Sequence, residues 1–185
     1  APEPQNLLDA SIFFDLRAVY GNADFVIKLK AKIKRDLVGH SPFLYHLSKN
    51  AFATKLPHIS TSLLASEKNT EAIDLKTAAG FIVLFVRIYA LKNSVFCTNT
   101  LERLQTLKEN HCLPEEMALE LVFSYNYLML LRLRNQAYLI ENQQALSNVI
   151  GLKSLTGLEI SILKKILGVF PGLQSKLSVD FRLNI

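Results

Sequence analysis

The feature that most constrains the fold is a long helical pattern that begins at Pro114. Proline followed by Glu115 and Glu116 is a typical helix start, because proline suits the first turn and carboxylates are stabilised by the positive end of the helix dipole. The pattern continues to about Ala145 and includes the strongly apolar segment LMLLRLRNQAYL (128–139). A helix of this kind is predicted to be buried among other helices.

Helix start signals recur elsewhere in the chain. Asn99 with Glu102, and Thr156 with Glu159, have the three-residue spacing of a capping box, in which each partner satisfies a free backbone N–H group of the other. Glycine, which weakens helices, accounts for only 7 of the 185 residues. Apolar residues at three- and four-residue spacing indicate a further helix over 23–39.

We therefore predict an all-α fold, an up-and-down helical bundle that forms a single domain over residues 1–185. A short hairpin is predicted near residues 62–75, where the sequence is least regular. The remaining helices are predicted at about 7–16, 41–53 and 76–93, and the last one, from Thr156, is predicted to be interrupted at Pro171.

Composition limits the class of protein. Half of the residues are apolar and a fifth are charged, with a formal net charge of +5, which is typical of a globular chain that tolerates an anionic partner. Cys97 and Cys112 are too few for a disulfide framework, so a reducing compartment and a cytoplasmic location are predicted. The longest apolar run, AAGFIVLFV, is shorter than the ~20 residues of a membrane helix, so no membrane partner is expected.

Arg132 and Gln136 are unusual because helical geometry places them on the apolar side of the long helix. At about 100° per residue, Leu121 and Leu128 lie within about 40° of Arg132, and Gln136 is one turn further on. Arg134 falls on the opposite, solvated side. A buried guanidinium is costly without acceptors, so Arg132 is expected to contact a carboxylate, backbone carbonyls or a ligand.

Arg87 repeats this pattern in the apolar run FIVLFVRIYAL, which is followed by the polar segment CTNT (97–100). Two interpretations remain open. In one, Arg87 and Arg132 pair with internal acids such as Asp15 or Asp74 and fix the helix register. In the other, Arg87, Arg132 and Gln136 line an interior cleft that binds an anionic or nucleotide-like group, since arginines and helix N-termini favour anions.

Other sites are not supported by the sequence. It has no Asp-x-Asp or Asp-x-Glu pair to hold Mg²⁺, no phosphate-binding glycine loop and no histidine or cysteine spacing of a metal site, so no catalytic residue and no metal ligand is predicted in this domain. The basic segment KLKAKIKR (28–35) could bind nucleic acid. It is better explained as the solvent-exposed side of an amphipathic helix, so nucleic acid is not an expected partner.

Four ordered motifs resemble one family. They are FFDLRAVYGN (13–22), IDLKTAAGFIVLFVRIYAL (73–91), TNTLERLQTL (98–107) and LRLRNQA (131–137). Together they are similar to the C-terminal, helical substrate-binding domain of bacterial nucleotidyltransferase-type proteins that are related in arrangement to protein-PII uridylyltransferases. The departures from the family pattern are Ala18 for proline, Asn22 for aspartate and Leu84-Phe85 near a proline–isoleucine pair.

The resemblance implies a set of site residues. It implies substrate binding by residues of the two core helices and the loop between them, and structural roles in the first loop and at the start of the core helix. The implied substrate-binding residues are Lys76, Arg87, Asn99, Thr100, Arg103, Arg132 and Gln136, and the implied structural residues are Asp15, Arg17, Gly21 and Asp74.

The resemblance also implies a longer parent chain, of which these residues are expected to be an excised C-terminal part. A nucleotidyltransferase catalytic domain would precede them and would hold Mg²⁺ and a nucleoside triphosphate, whereas this domain would hold no cofactor. Cyclic-nucleotide-binding and CBS regulatory domains often accompany it, which points to signal transduction, and a PII-like protein is one candidate substrate.

The leading hypothesis is thus a non-catalytic domain that completes the substrate cleft of a nucleotidyltransferase. The alternative is a protein-interaction or dimerisation module in which the buried arginines are structural. Its predicted interface, in a homodimer, is the apolar side of the last helix: Ile160, Ile162, Leu163, Ile166, Leu167 and Phe170.

Overall fold

The computed structural model describes residues 13–37, 41–57, 59 and 72–184. Within them the chain forms six helices and one two-stranded sheet, so the all-α prediction is confirmed. In chain order the elements are α1 Asp24–Leu37, α2 Ser41–Phe52, β1 Ala72–Asp74, α3 Leu75–Lys92, α4 Thr100–Glu109, α5 Glu115–Glu141, β2 Val149–Gly151 and α6 Gly157–Asp180. A short 3-10 turn, Leu152–Ser154, joins β2 to α6.

Helix α3 is the centre of the bundle. It packs against α2, α4, α5 and α6, and its side chains are buried on nearly all sides, which explains why its sequence is apolar without a polar face. Phe81 stacks at a tilt against Phe170 of α6, with 5.3 Å between ring centroids. The core therefore surrounds one helix, and Arg87 is carried by that helix.

The two strands tie the start of α3 to the segment after α5. β1 pairs with β2 in antiparallel register, with Ile73 opposite Ile150. The hairpin predicted near 62–75 is therefore wrong for its described part, because β1 pairs with a strand far along the chain and not with a neighbour. Residues 60–71 lie outside the described residues.

Helix boundaries agree with the cap signals. Thr156 and Glu159 form both halves of a capping box, and the Asn99 side chain accepts hydrogen bonds from the N–H groups of Leu101 and Glu102. The interruption predicted at Pro171 is wrong, since α6 continues to Asp180. Pro171 is exposed, while Phe170 and Leu173 on either side of it are buried, so core packing outweighs the lost backbone hydrogen bond.

The last helix is a core element and not a free surface. Leu163, Ile166, Leu167 and Phe170 are all buried in the same apolar cluster as α3. The dimer interface predicted on this side of the helix is thus wrong in its location. The helix predicted over 7–16 falls largely on residues outside the described ones.

Helix α1 is the least integrated element, because none of its residues is buried. Lys28, Lys32 and Lys34 are exposed, as the sequence indicated for the basic segment, and Lys30 is half-buried. No helix in the described ranges is both long enough and apolar enough to cross a membrane.

Candidate functional site

Asp15, Arg87 and Arg103 form an ionic cluster at one end of the bundle. The carboxylate of Asp15 accepts a hydrogen bond from Nη2 of Arg87 through Oδ2 and one from Nη2 of Arg103 through Oδ1, the latter at 2.6 Å. Two guanidinium groups therefore converge on one carboxylate. The sequence left open whether Arg87 pairs with an internal acid or lines a cleft. In the structure Arg87 pairs with an internal acid, Asp15.

Each member of the cluster is positioned by a different element. Arg87 is near the end of α3, and Arg103 is in the first turns of α4. Asp15 follows Phe14, whose ring is buried and meets Phe43 of α2 edge-on at 5.7 Å between centroids. This aromatic contact holds Asp15 against the two helices, because the residues after it, from Arg17 to Gly21, are exposed.

Backbone carbonyls complete the environment of Arg103. Its Nε donates to the carbonyl oxygen of Cys97 at 2.7 Å, and its Nη2 lies 3.4 Å from that of Phe14. Only 2% of the Arg103 side chain is exposed. A guanidinium removed so far from water needs such acceptors to remain stable, and Arg103 has them in the loop before α4.

The ionic cluster carries a net positive charge and an unsatisfied hydrogen-bond donor. Two cations share one anion, and the buried Nε of Arg87 has no hydrogen-bond partner among the residues that the structure describes. Asp15 is the most accessible member, with 37% of its side chain exposed, compared with 14% for Arg87. The site is consequently electropositive, and its anionic component is the one that solvent reaches.

Asn99 and Thr100 lie beside this cluster in the loop and at the start of α4. Asn99 caps the helix, with its Oδ1 2.8 Å from the N–H of Leu101, and Thr100 is buried. The Oδ1 of Asn99 accepts from two backbone N–H groups, those of Leu101 and Glu102. The structure thus brings Asn99, Thr100, Arg103, Arg87 and Asp15 together, as five of the eleven predicted site residues.

Arg132 and Gln136 belong to another region. Nε of Arg132 donates to Oδ1 of Asn148 at 2.7 Å, and Nε2 of Gln136 donates to the same oxygen at 3.3 Å. The backbone oxygen of Asn148 accepts from the N–H of Leu75, the first residue of α3. Leu75 is twelve residues from Arg87 on α3, which corresponds to about 18 Å along the helix axis.

A single cleft lined by Arg87, Arg132 and Gln136 is therefore not what the fold forms. The acceptor of Arg132 is an amide oxygen and not a carboxylate. Arg132 and Gln136 instead fix the segment that leads into β2 to helix α5. Asn135 of the same helix does so too, since its Nδ2 donates to the carbonyl of Ser147 at 3.2 Å.

Asp74 caps α3. Its carboxylate accepts from the N–H groups of Lys76 and Thr77 at 2.9 and 3.1 Å, and from the Thr77 hydroxyl at 2.8 Å. Partial burial acts to raise the pKa of Asp74, but the hydrogen bonds from Thr77 and Lys76 outweigh it and lower the pKa below its ordinary value. Lys76 is exposed beside this cap, at the Asn148 end of α3 and away from the ionic cluster.

Arg17 and Gly21 lie in the exposed loop between Asp15 and α1. Gly21 has a φ of +84°, in the left-handed region that only glycine adopts without strain. The sequence prediction that Gly21 shapes this loop is consistent with that conformation. Arg17 is exposed and makes no side-chain hydrogen bond within the described residues.

An apolar cavity of about 440 Å³ adjoins the cluster. It is open to solvent and shares Phe14 with the cluster, since the carbonyl of that residue faces Arg103. Its walls come from the first described turn, α1 and α2: Phe13, Phe14, Leu29, Ile33, Leu37 and Phe43. The sequence analysis did not predict this cavity, because it forms only when three separate segments meet.

Sequence reasoning also missed Asn148 and the carbonyl of Cys97. Neither has a local signal, since their function as acceptors depends on which arginine the fold brings to them. In the part of the chain that the structure describes, no group of three or more His, Cys, Asp or Glu side chains is arranged to hold a metal ion.

Comparison with known families adds one finding. Residues 41–181 match the model of the family described as "Putative nucleotidyltransferase substrate binding domain". The match includes Arg87 and Arg103 but not the segment that carries Asp15. No curated protein and no solved structure matches the chain. Because the matched residues make up most of its length, the chain belongs to this family of nucleotidyltransferase substrate-binding domains.

Proposed function

We propose that this domain binds an anionic group of the substrate for a nucleotidyltransferase catalytic domain, and that it does not itself catalyse transfer. The convergence of Arg87 and Arg103 on the single carboxylate of Asp15 carries the proposal. Mg²⁺ and the nucleoside triphosphate would be held by the catalytic domain, and this domain would supply only binding and orientation.

Asp15 occupies the position that an anionic ligand would take. A phosphate or carboxylate of a ligand offers the same oxygen acceptors, and arginine binds both with paired N–H groups. The Nε of Arg87 is buried and has no acceptor among the described residues, so it would become available to the ligand only when Asp15 moves aside. Since Asp15 is the exposed member of the cluster and sits on a loop, its displacement requires no rearrangement of α3 or α4.

The adjoining apolar cavity limits the class of substrate. Among the described residues its walls are aromatic and aliphatic apart from one charged side chain, that of Asp36. A substrate that combines an anionic group with an apolar or aromatic portion fits the two neighbouring features. A PII-like protein could present both from an exposed loop, and so could a small metabolite.

Arg132, Gln136 and Lys76 have no place in this proposal as ligand contacts. Arg132 and Gln136 have a shared internal acceptor in Asn148, and Lys76 is next to them at the same end of α3. A purely structural role thus fits Arg132 better than Arg87, whose Nε has no partner in the described part of the chain.

The proposal is tested by measuring the thermal stability of the chain with and without inorganic pyrophosphate. We expect a small rise in Tm for the wild type and a larger one for Asp15→Asn, which removes the competing charge. Arg87→Gln should remove the response, and Arg35→Gln on the exposed α1 should leave it unchanged.

A second variant separates loss of binding from loss of folding. Arg87→Lys keeps a positive charge and should retain a reduced response. If neither wild type nor Asp15→Asn responds to pyrophosphate while both remain folded, the cluster is a structural clamp and the proposed binding role is wrong.

A further inference from the structure

Helix α5 has two apolar sides, and only one of them is used by the bundle. The inner side, which includes Leu121, Leu128 and Leu131, is buried against the core. The opposite side is exposed and also apolar. We call it the outer stripe, and it consists of Leu119, Phe123, Leu130, Leu133, Ala137 and Ile140.

The outer stripe has the spacing of a coiled-coil seam. Together with Asn126, its members follow one another at intervals of four, three, four, three, four and three residues, which is the alternation of the a and d positions of a heptad. It extends over 22 residues of a single helix, or about 32 Å. Exposed fractions of 53% at Leu119, 61% at Leu130 and 64% at Ile140 show that the described residues leave its whole length uncovered.

A single exposed leucine needs no explanation, but a continuous apolar stripe of this length marks an interaction surface. A strict heptad seam is selective, because it matches another helix with the same repeat better than it matches a sheet or a loop. The chain itself carries such a helix in every copy.

We propose that the outer stripe pairs with the outer stripe of a second copy of this chain, with the two α5 helices antiparallel. This inference goes beyond the proposed anion-binding function and does not depend on it. The interface is symmetric, since the same residues meet from both sides.

Charges beside the stripe select the antiparallel direction. Glu120 and Arg134 both occupy e positions and are exposed, and e positions face each other in an antiparallel pair. With Phe123 of one copy packed against Leu133 of the other, Glu120 of each copy lies opposite Arg134 of the other. The register therefore brings Glu120 to Arg134 at two equivalent places. Arg134 also pairs with Glu159 of α6 in its own copy, so in the dimer each Arg134 lies between two carboxylates.

The parallel arrangement is disfavoured by the same flanking residues. In a parallel pair, each g position faces the e position of the other copy that lies five residues further along the sequence. Glu115 of each copy would then lie opposite Glu120 of the other, which gives two such contacts per dimer. Two like-charge pairs oppose association. Asn126, the one polar residue of the seam, weakens either arrangement, so a reversible dimer is expected.

The first test measures association of the 185-residue chain by analytical ultracentrifugation over a range of concentrations. We expect a monomer–dimer equilibrium that Leu130→Lys weakens at least about tenfold, as loss of a central interface residue does. Val179→Lys, at a position that is 74% exposed and outside the stripe, is the matched control and should leave the equilibrium unchanged. Both variants replace exposed side chains, so both should melt like the wild type.

The second test determines the direction of the helices. In a chain with Cys97 and Cys112 replaced by serine, Leu119→Cys combined with Ala137→Cys should form a disulfide-linked dimer, because these positions face each other only in the antiparallel register. Ala137→Cys alone should not. Crosslinking by Ala137→Cys alone would overturn the antiparallel assignment. A wild type that stays monomeric at all concentrations, or a Leu130→Lys variant that dimerises as tightly as the wild type, would overturn the proposal itself.

Discussion

Removal of the Asp15 carboxylate is the sharpest test of the ionic cluster. In Asp15→Ala, Arg87 and Arg103 each lose a charge-assisted hydrogen bond, and a bond to a charged group contributes about 1.5–3 kcal/mol. Arg103 keeps its contacts with the carbonyls of Cys97 and Phe14, so it is not left without acceptors. The loss is therefore smaller than for a fully buried ion pair.

Exposure of Asp15 reduces the expected effect further. Because 37% of its side chain is exposed, water replaces part of the lost interaction and screens the two cations from each other. We expect the free energy of unfolding to fall by about 2 kcal/mol, about half of what two unscreened bonds would contribute. For a chain of this size that corresponds to a decrease in Tm of about 4–8 °C.

The assay is urea denaturation followed by circular dichroism, with a thermal melt as a second measurement. Asp36→Ala is the matched control for stability, because among the described residues the ion pair that Asp36 makes is an exposed one, with Lys32 at 3.1 Å within α1. That variant should lose less than about 0.5 kcal/mol. Added phosphate should restore stability to Asp15→Ala more than to the wild type, since it supplies the missing acceptors.

A stability of Asp15→Ala equal to that of the wild type would refute this reasoning. It would mean that Arg87 and Arg103 gain nothing from the carboxylate beyond what water gives them. The geometry of the cluster would then not support an anion-binding site.

Three further predictions concern other regions. Thr156→Ala removes the N-cap hydroxyl of α6 and should lower the free energy of unfolding by about 1 kcal/mol, measured in urea, with m unchanged. Arg132→Met and Asn148→Ala should each destabilise the chain and, because they share one hydrogen bond, their double variant should lose less than the sum, as a double-mutant cycle would show. The pKa of Asp180 is lowered, because hydrogen bonds from Tyr89 and Lys176 and the nearby lysine charges outweigh the effect of burial. Its contribution is thus present above its unfolded pKa of about 3.9 and is lost as pH falls through the lower folded value, so Asp180→Asn should flatten the acid limb of stability against pH; an unchanged acid limb would contradict this assignment.

Much of the bundle could be predicted because its signals are local. Proline with two glutamates at the start of α5, the Asn99 cap of α4 and the Thr156–Glu159 capping box act within one helical turn, so sequence spacing alone identifies them. Pro171 was mispredicted for the complementary reason. A proline disfavours helix locally, but burial of Phe170 and Leu173 beside it stabilises the continuous helix from outside the local sequence.

The candidate site could be predicted only in part. Helical periodicity correctly indicated that Arg87 and Arg132 need acceptors, since burial of a guanidinium has the same consequence in any fold. It could not indicate which acceptors. Asp15 is 72 residues from Arg87 in the chain and Asn148 is 16 from Arg132, and no spacing rule relates such positions.

The sequence by itself determined that the chain forms helices, where most of them begin, and that two arginines are exceptions within apolar segments. The tertiary structure alone decided that these arginines lie at opposite ends of α3, that one faces a partly exposed carboxylate and the other an internal amide, and that the described residues leave a second apolar side of α5 uncovered. Local propensities and periodicities depend on neighbours within a few residues, whereas the partner of a buried charge and the exposure of a helix side depend on how the helices are arranged around one another.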